Sequence, residues 1–194
     1  MKRLFDITAS LIGLIVLFPL FIVVSVLVKT SSEGPVFFVQ KRIGKNGKVF
    51  QMIKFRSMTV IQSSDSTISI KGDVRITKIG ALLRKYKLDE LPELFNVLRG
   101  DMSIVGPRPD VSGYADNLEG ENLLILELRP GITGPASLKY ANEEETLALQ
   151  EDPVKYNDDV IYPDKVKLNL DYYYNNNLWI DIKIIFATIF RTGY

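Results

Sequence analysis

A mixed α/β fold of the α+β kind is what the sequence predicts: mostly helical, with one short β-hairpin, a re-entrant N-terminal membrane helix and amphipathic interfacial helices. Three observations predict it. An uncharged apolar run opens the chain, from Ile7 to Val28. Two short strand-like runs flank Gly44-Lys45-Asn46-Gly47. The apolar spacing that follows is helical, and the strand–helix alternation of a doubly wound parallel sheet is absent. A length of 194 residues suits a membrane element over residues 1–30 and one folded domain over residues 31–194.

The apolar run is long enough for the roughly 20 residues that reach across a bilayer core. It is too long for a cleaved signal peptide, and no small-residue cleavage site follows it. Pro19, near its middle, removes a helical hydrogen bond and meets the carbonyl of Ile15. Lys2 and Arg3 precede the run, and Lys29, Lys41, Arg42, Lys45 and Lys48 follow it, so charge gives no inside–outside asymmetry. A helix that enters, breaks at Pro19 and returns keeps both basic ends on one side. That form is preferred over a true span, and either over a buried soluble helix. Thr8, Ser10 and Ser25 are candidates to satisfy backbone groups freed at the break.

Next, Gly34-Pro35 marks a turn, Val36 to Gln40 reads as a strand, and Lys48 to Phe55 returns as its hairpin partner. Residues 61–72, rich in Ser, Thr and Asp, read as an exposed loop. Helices are expected at Gly80 to Lys87, over residues 119–128, from Glu143 to Glu151 and from Pro163 to Asn175. In the tail, Leu178 to Phe190, one side of a helix collects Leu178, Trp179, Ile182, Ile185, Phe186 and Ile189. An aromatic anchor on an amphipathic helix suits the membrane interface, and a core helix is the competing reading.

The chain has no Cys and no His, so disulfides, thiolate metal sites and the commonest general base are excluded. Acid–base or nucleophilic chemistry falls to Asp, Glu, Lys or Tyr. The net charge of +1 hides an asymmetry: Glu33 is the only acid in residues 29–60, while Asp and Glu far outnumber Arg129, Lys139, Lys155 and Lys165 in residues 110–165. A basic half beside the membrane element suits anionic headgroups and a phosphorylated substrate at a membrane surface. Nucleic acid is excluded as a partner, since no aromatic-interleaved basic motif is present.

The densest chemistry lies between Leu88 and Pro109. Asp89 is placed to cap a helix whose apolar stripe is Leu91, Leu94, Phe95 and Leu98, with Pro92 tolerated in its first turn and Gly100 at its end. A carboxylate at a helix N-terminus stays ionised and can act as a nucleophile or hold a hard cation such as Mg²⁺. Alone, Asp89 reads as a cap and Glu90 as a surface residue. The basic run Arg84, Lys85 and Lys87 on one side, and Gly106-Pro107-Arg108-Pro109 on the other, argue for a site.

The pattern resembles the bacterial sugar transferases, small monotopic polyprenyl-phosphate phosphoglycosyl transferases anchored by one re-entrant helix. The resemblance rests on Lys2 to Asp6, Gly34-Pro35-Val36, Gln40 to Gly44, Lys54 to Met58, Arg75 to Gly80, Leu88 to Pro109, Arg129 to Gly134 and Asp171-Tyr172-Tyr173. It implies transfer of a sugar 1-phosphate from a UDP-sugar to a polyprenyl (undecaprenyl) phosphate with release of UMP, the first membrane step toward exopolysaccharide, capsule or lipopolysaccharide. It implies Asp89 as nucleophile, forming a phosphosugar–Asp intermediate, and Glu90 as Mg²⁺ ligand beside it. Arg108 and Arg129 are the candidate phosphate clamps, because guanidinium grips phosphate bidentately. Arg84 and Lys87 are secondary candidates that each read alone as solvated charge. Asp171 binds the nucleotide or stiffens the site. The implied location is the cytoplasmic face of the bacterial inner membrane. Further partner readings are a second copy of the chain and downstream glycosyltransferases. Long members carry extra membrane helices ahead of this domain, so the expectation here is the minimal catalytic form.

One departure stands out. Many members follow Gly-Ile-Thr-Gly with Trp, whereas Gly134 here precedes Pro135-Ala136-Ser137-Leu138-Lys139-Tyr140 and an acidic insertion to Asp164. That leaves the chemistry in place and the sugar open. Competing readings are an inert membrane-surface scaffold and a nucleotide-sugar hydrolase.

Overall fold

The computed structural model describes residues 1–59 and 75–192. The loop expected over residues 61–72 lies outside them. Helices α1 (Lys2–Val16) and α2 (Phe18–Ser31) come first, followed by strands β1 (Phe37–Ile43) and β2 (Val49–Phe55). Helices α3 (Lys78–Lys85) and α4 (Glu93–Arg99) lead to β3 (Ser103–Val105). A 3-10 stretch, Gly120–Glu127, precedes β4 (Gly131–Thr133), α5 (Pro135–Lys139), α6 (Glu143–Ala148) and α7 (Pro153–Tyr156). A π-helical turn, Asn157–Ile161, joins α7 to α8 (Tyr162–Asn175), and α9 (Leu178–Phe190) ends the described chain. The α+β, mostly helical expectation is met.

The hairpin pairs Phe37 with Phe55 and Ile43 with Val49, and its turn uses left-handed backbone at Asn46 (φ 56°) and Gly47 (φ 71°). A second pair of strands was not anticipated: β3 and β4 lie parallel, Ser103 opposite Gly131 and Val105 opposite Thr133. Three-residue strands are too short for periodicity to reveal. Thr77 caps α3 by accepting a hydrogen bond from the Gly80 amide at 2.8 Å.

Among the described residues no single helix is long and apolar enough to cross a membrane, but α1 and α2 meet that test together, bent by 64°. The bend falls at Leu17, two residues before Pro19, so Pro19 sits in the first turn of α2 rather than inside a helix. A proline there needs no N–H partner and clashes with no preceding turn. The expected serine support is not what holds the bend: Ser25 Oγ donates to Phe21 O at 2.6 Å, within α2, and Ser10 Oγ is buried without a partner among the described residues.

Charges at the ends fix the pair instead. Arg3 donates to the carbonyls of Val97 (2.6 Å) and Leu98 (2.9 Å), near the C-terminus of α4. The buried Asp6 carboxylate accepts from Ser103 Oγ at 2.9 Å and the Ile104 amide at 3.1 Å. Lys2 bonds Tyr172 and Asp181, tying α1 to α8 and α9. Beyond α2, the buried Arg56 guanidinium donates to Val28 O at 3.1 Å and Ser32 O at 2.7 Å, closing the helix's C-terminal turn.

The core runs in three patches: Phe21, Val24, Val28, Phe55 and Leu83; Met52, Val97 and Met102; and Val105, Tyr172 and Ile184. The core reading of α9 holds for one of its faces. Asp181, Ile184 and Ala187 face the core, while Trp179, Phe186, Ile189 and Phe190 are exposed.

Gly106, Gly131 and Gly134 let the β3 and β4 ends close on each other. A Cβ on Gly106 would meet the Arg129 carbonyl oxygen at 2.3 Å, a backbone atom that cannot swing aside. We expect Gly106→Ala to lower stability by about 3 kcal/mol, read as a fall in the thermal unfolding midpoint of detergent-purified protein. An unchanged midpoint would mean that this contact is not tight.

Candidate active site

Leu88–Glu90 forms a 3-10 turn closed by the Glu90 amide donating to Lys87 O at 3.3 Å, with Lys87 in the left-handed region (φ 56°). Both carboxylates are buried, Asp89 and Glu90 each 7% exposed. Helix α4 starts three residues later, with Pro92 as its N-cap residue. Asp89 is therefore not the helix cap the sequence suggested, because Pro92 resets the start downstream. Its Oδ1 is buried and, among the described residues, has no hydrogen-bond partner. Gly100 ends α4 in the left-handed region (φ 101°), as expected.

Helix α4 makes contacts on two faces. Leu94 lies beside Gly13 of α1, and Phe95 meets the Phe21 ring edge-on at 5.8 Å. The opposite face carries Glu93, Asn96 and Val97 against β2. Asn96 is fully buried there: its Oδ1 accepts from the Ile53 amide at 3.0 Å and its Nδ2 donates to Gln51 O at 2.7 Å. That lock fixes Lys54, the next residue on β2. Lys54 Nζ donates to Glu90 Oε1 at 2.9 Å and lies 3.3 Å from Glu93 Oε1.

Arg108 completes the cluster. Its Nη2 donates to Glu90 Oε1, and its Nη1 reaches Oε2 at 3.4 Å. The loop presenting it is held on both sides. The Gly131 amide donates to Pro107 O at 2.8 Å, Arg42 Nη1 to Pro109 O at 3.2 Å, and the Ile43 amide to Asp110 O at 2.9 Å.

Three buried carboxylates and two cations give three different acidities. Burial opposes ionisation of Glu90, but Arg108 and then Lys54 outweigh it and hold its pKa well below the usual range. Burial, then the Glu90 charge, raise the Asp89 pKa, with Lys54, Arg84 and Lys87 pulling it part of the way back. Burial raises Glu93 to about 7, against the pull of Lys54.

An outer ring closes around this centre. Arg84 is paired with Glu144 and Lys165 with Glu143 (2.6 Å), both acids on α6. Burial lifts Asp110 to about 6, opposed by Lys165, Arg42 and Arg108. Of the residues singled out in the sequence, Asp89, Glu90 and Arg108 come together, and Arg84 and Lys87 lie close enough to act on the Asp89 charge. Arg129 does not join them: its Nε donates to Gly100 O at 3.0 Å, at the far end of α4. Nor does Asp171, which is exposed and accepts from Asn175 Nδ2 at 2.9 Å on the rim of a groove of about 350 Å³ between α5, α8 and α9. Sequence reasoning missed Lys54, Glu93, Arg42 and Asp110 as site residues. For Lys54 a signal existed: it alternates with Met52 and so shares the strand face that packs on α4.

The donor set suits a hard cation shared with a substrate. Among the described residues no three carboxylates are grouped to hold a metal alone. Asp89, whose Oδ1 has no partner among the described residues, and Glu90 beside it are the two carboxylates that would hold Mg²⁺, with phosphates completing its shell.

A family model described as bacterial sugar transferase matches residues 1–193. A UDP-glucose:undecaprenyl-phosphate glucose-1-phosphate transferase of Klebsiella pneumoniae is 41% identical over 98% of the chain, which spans 39% of that protein. A UDP-N-acetylgalactosamine-undecaprenyl-phosphate N-acetylgalactosaminephosphotransferase of Aeromonas hydrophila is 37% identical over 97% of the chain, which spans 42% of it. The exopolysaccharide production protein ExoY of Rhizobium meliloti is 35% identical over 97% of the chain, which covers 83% of it.

The raised Asp110 pKa has a consequence for stability. The unfolded carboxyl ionises near pH 4 and the folded one only near pH 6, so folding stability falls as pH rises through that window and stays lowered above it. Asp110→Asn removes this loss. We expect the variant to match the parent at pH 4 and to exceed it above pH 6 by on the order of 1–2 kcal/mol, allowing for solvent at this half-buried site. Denaturant titrations at the two pH values check it, and parallel curves would refute the shift.

Proposed function

The chain belongs to the bacterial sugar transferase family, and from that premise we propose that it moves a sugar 1-phosphate from a UDP-sugar to undecaprenyl or a related polyprenyl phosphate, releasing UMP through a covalent intermediate on Asp89. The observation that carries this reading is the pairing of unlike neighbours: Asp89 with a buried oxygen that has no partner among the described residues, and Glu90 with both oxygens held by Arg108 and Lys54.

A Glu90 kept ionised leaves Asp89 as the carboxylate free to react. An Asp89 oxygen attacks the donor's β-phosphorus, and the bond from that phosphorus to the UMP oxygen breaks, so UMP leaves with the electron pair. An oxygen of polyprenyl phosphate then attacks the same phosphorus and restores the carboxylate. Charge balances at each step without a proton donor, which suits a chain that lacks histidine. Arg108 is placed to move between Glu90 and the transferring phosphoryl group, and Lys54 keeps Glu90 neutralised when it does. Arg84 and Lys87 add positive potential at Asp89. Asp89 and Glu90 would hold Mg²⁺, which when bound would supply charge neutralisation for the diphosphate.

The reading places the domain on the cytoplasmic face of the bacterial inner membrane, with α1 and α2 dipping in and returning. The bend, the basic residues at both ends and the exposed apolar side chains of α1, α2 and α9 support it. Initiation of an exopolysaccharide or related glycan follows from the same reaction.

Lipid-dependent UMP release with Mg²⁺ and a panel of UDP-sugars tests the function; release without lipid would indicate hydrolysis. Asp89→Asn is expected to lower turnover on the order of 10³-fold or more while remaining folded. Donor alone should add one phosphosugar to the parent in intact-mass spectra and none to this variant. Arg108→Lys, which loses the bidentate grip, is expected to cost about 10²-fold. Full turnover by Asp89→Asn removes the covalent route.

Topology has its own test, because the chain is free of cysteine. Leu4→Cys and Glu33→Cys should each react with an impermeant maleimide from the cytoplasmic side only. Labelling from opposite sides would establish a span.

A further inference from the structure

A pocket of about 380 Å³ opens beside the Arg108 loop, lined by Gly113, Tyr114, Asn117, Leu118, Asp158 and Tyr162. None of these belongs to the Asp89, Glu90 and Arg108 cluster. We infer that this pocket receives the sugar ring of the donor, and that Tyr114, Asp158 and Tyr162 decide which sugar is accepted; this deepens the transferase reading and rests on it.

Position comes first. The chain leaves Arg108 through Pro109 to Asp110, and the pocket wall begins at Gly113. Tyr162 links the two places, since its ring lines the pocket and the Asp110 carboxylate acts on its hydroxyl more strongly than any other charge. The pocket wall therefore stands next to the loop that presents Arg108.

The lining then has the chemistry of a hydroxyl-rich ring. Tyr114 and Tyr162 meet edge to face, ring centroids 4.9 Å apart at 62°, and form an apolar corner for the C–H face of a pyranose. Asp158 Oδ1 accepts from Tyr114 Oη and from Asn157 Nδ2, each at 2.9 Å, which fixes the carboxylate and leaves its second oxygen open. An ionised carboxylate offers about four lone-pair sites. The open ones suit two neighbouring sugar hydroxyls. A uracil offers one N–H between two carbonyl acceptors, a poorer match to this carboxylate than two neighbouring hydroxyls. The Tyr162 hydroxyl is turned toward Asp110, whose carboxylate acts on it, so this wall of the pocket is held from the Arg108 side.

The test is calorimetric binding of UDP, UDP-glucose, UDP-galactose and their N-acetylamino counterparts to the purified full chain, with Asp158→Asn and Tyr114→Phe as variants. Expected is a parent that binds at least one UDP-sugar more tightly than UDP. Asp158→Asn should erase about tenfold of that margin, the worth of a hydrogen bond to a charged group, with the affinity for UDP unchanged. Tyr114→Phe, which frees the carboxylate to turn, should change the ranking among sugars. Equal loss for UDP and UDP-sugars would assign the pocket to the nucleotide and overturn the inference. So would unchanged margins in both variants, or a parent that gains nothing from the sugar. Because binding is read without turnover, these outcomes stay separate from the transferase reading, which fails only if UMP release does not depend on lipid.

Discussion

A pair of apolar helices carries almost no polar group with which to fix its own orientation, so the charges at its ends must do so. Arg3, Asp6 and Lys2 fasten the start of α1 to α4, β3 and α9, and Arg56 fastens the end of α2. Arg3 and Arg56 both complete helix C-termini, where carbonyls lack partners and the dipole favours positive charge. Asp6 does the reverse, accepting from donors at β3. Removing either partner strands a buried charge, which is the costly way to break such a contact. The consequence reaches the site, because α4 is the element both fastened by Arg3 and preceded by Asp89 and Glu90. The placing of α1 and that of the two carboxylates are therefore mechanically linked.

The second constraint is unequal neutralisation. Lys54 and Arg108 are shared among Asp89, Glu90 and Glu93, and they do not divide evenly. Glu90 takes both, Glu93 takes Lys54 at ion-pair distance, and Asp89 takes neither by hydrogen bond. Adjacent residues in one 3-10 turn thus end with pKa values shifted in opposite directions, which is how a site assigns different roles to like groups. The inequality depends on the 3-10 turn itself, since a regular helix starting at Asp89 would have given its free oxygen amides to accept from.

That same turn marks where the sequence stopped being legible. The hairpin, α3, α8 and α9 could be read because Gly and Pro punctuate the chain and apolar spacing is regular over eight or more residues in the helices. Leu88 to Pro109 announced Asp89, Glu90 and Arg108, yet Asp89 as a cap was wrong by one proline. Arg129 looked like Arg108 in one dimension, since each precedes a proline. In three dimensions they serve opposite ends of α4, a fact set by the parallel β3–β4 pair that no pattern of three residues could show. Lys54 was visible as a strand residue but not as a partner of Glu90, because that pairing depends on Asn96 holding β2 against α4.

The charge asymmetry of the chain also changes meaning once folded. The acidic stretch does not stay apart from the basic half: α6 returns Glu144 to Arg84 and Glu143 to Lys165, beside Arg108 and Asp110. Cations gathered for a phosphate would repel one another and loosen the fold in its absence; carboxylates lent by α6 and by Glu90 hold them in place. Under the proposed reaction, each phosphate that enters trades one anion for another at these cations, so binding needs little net rearrangement of charge and release is equally easy. A site that must accept a nucleotide sugar, discharge UMP and then admit a second phosphate in the same place gains from weak, replaceable pairing of this kind, and the histidine-free chemistry of Asp89 fits within it.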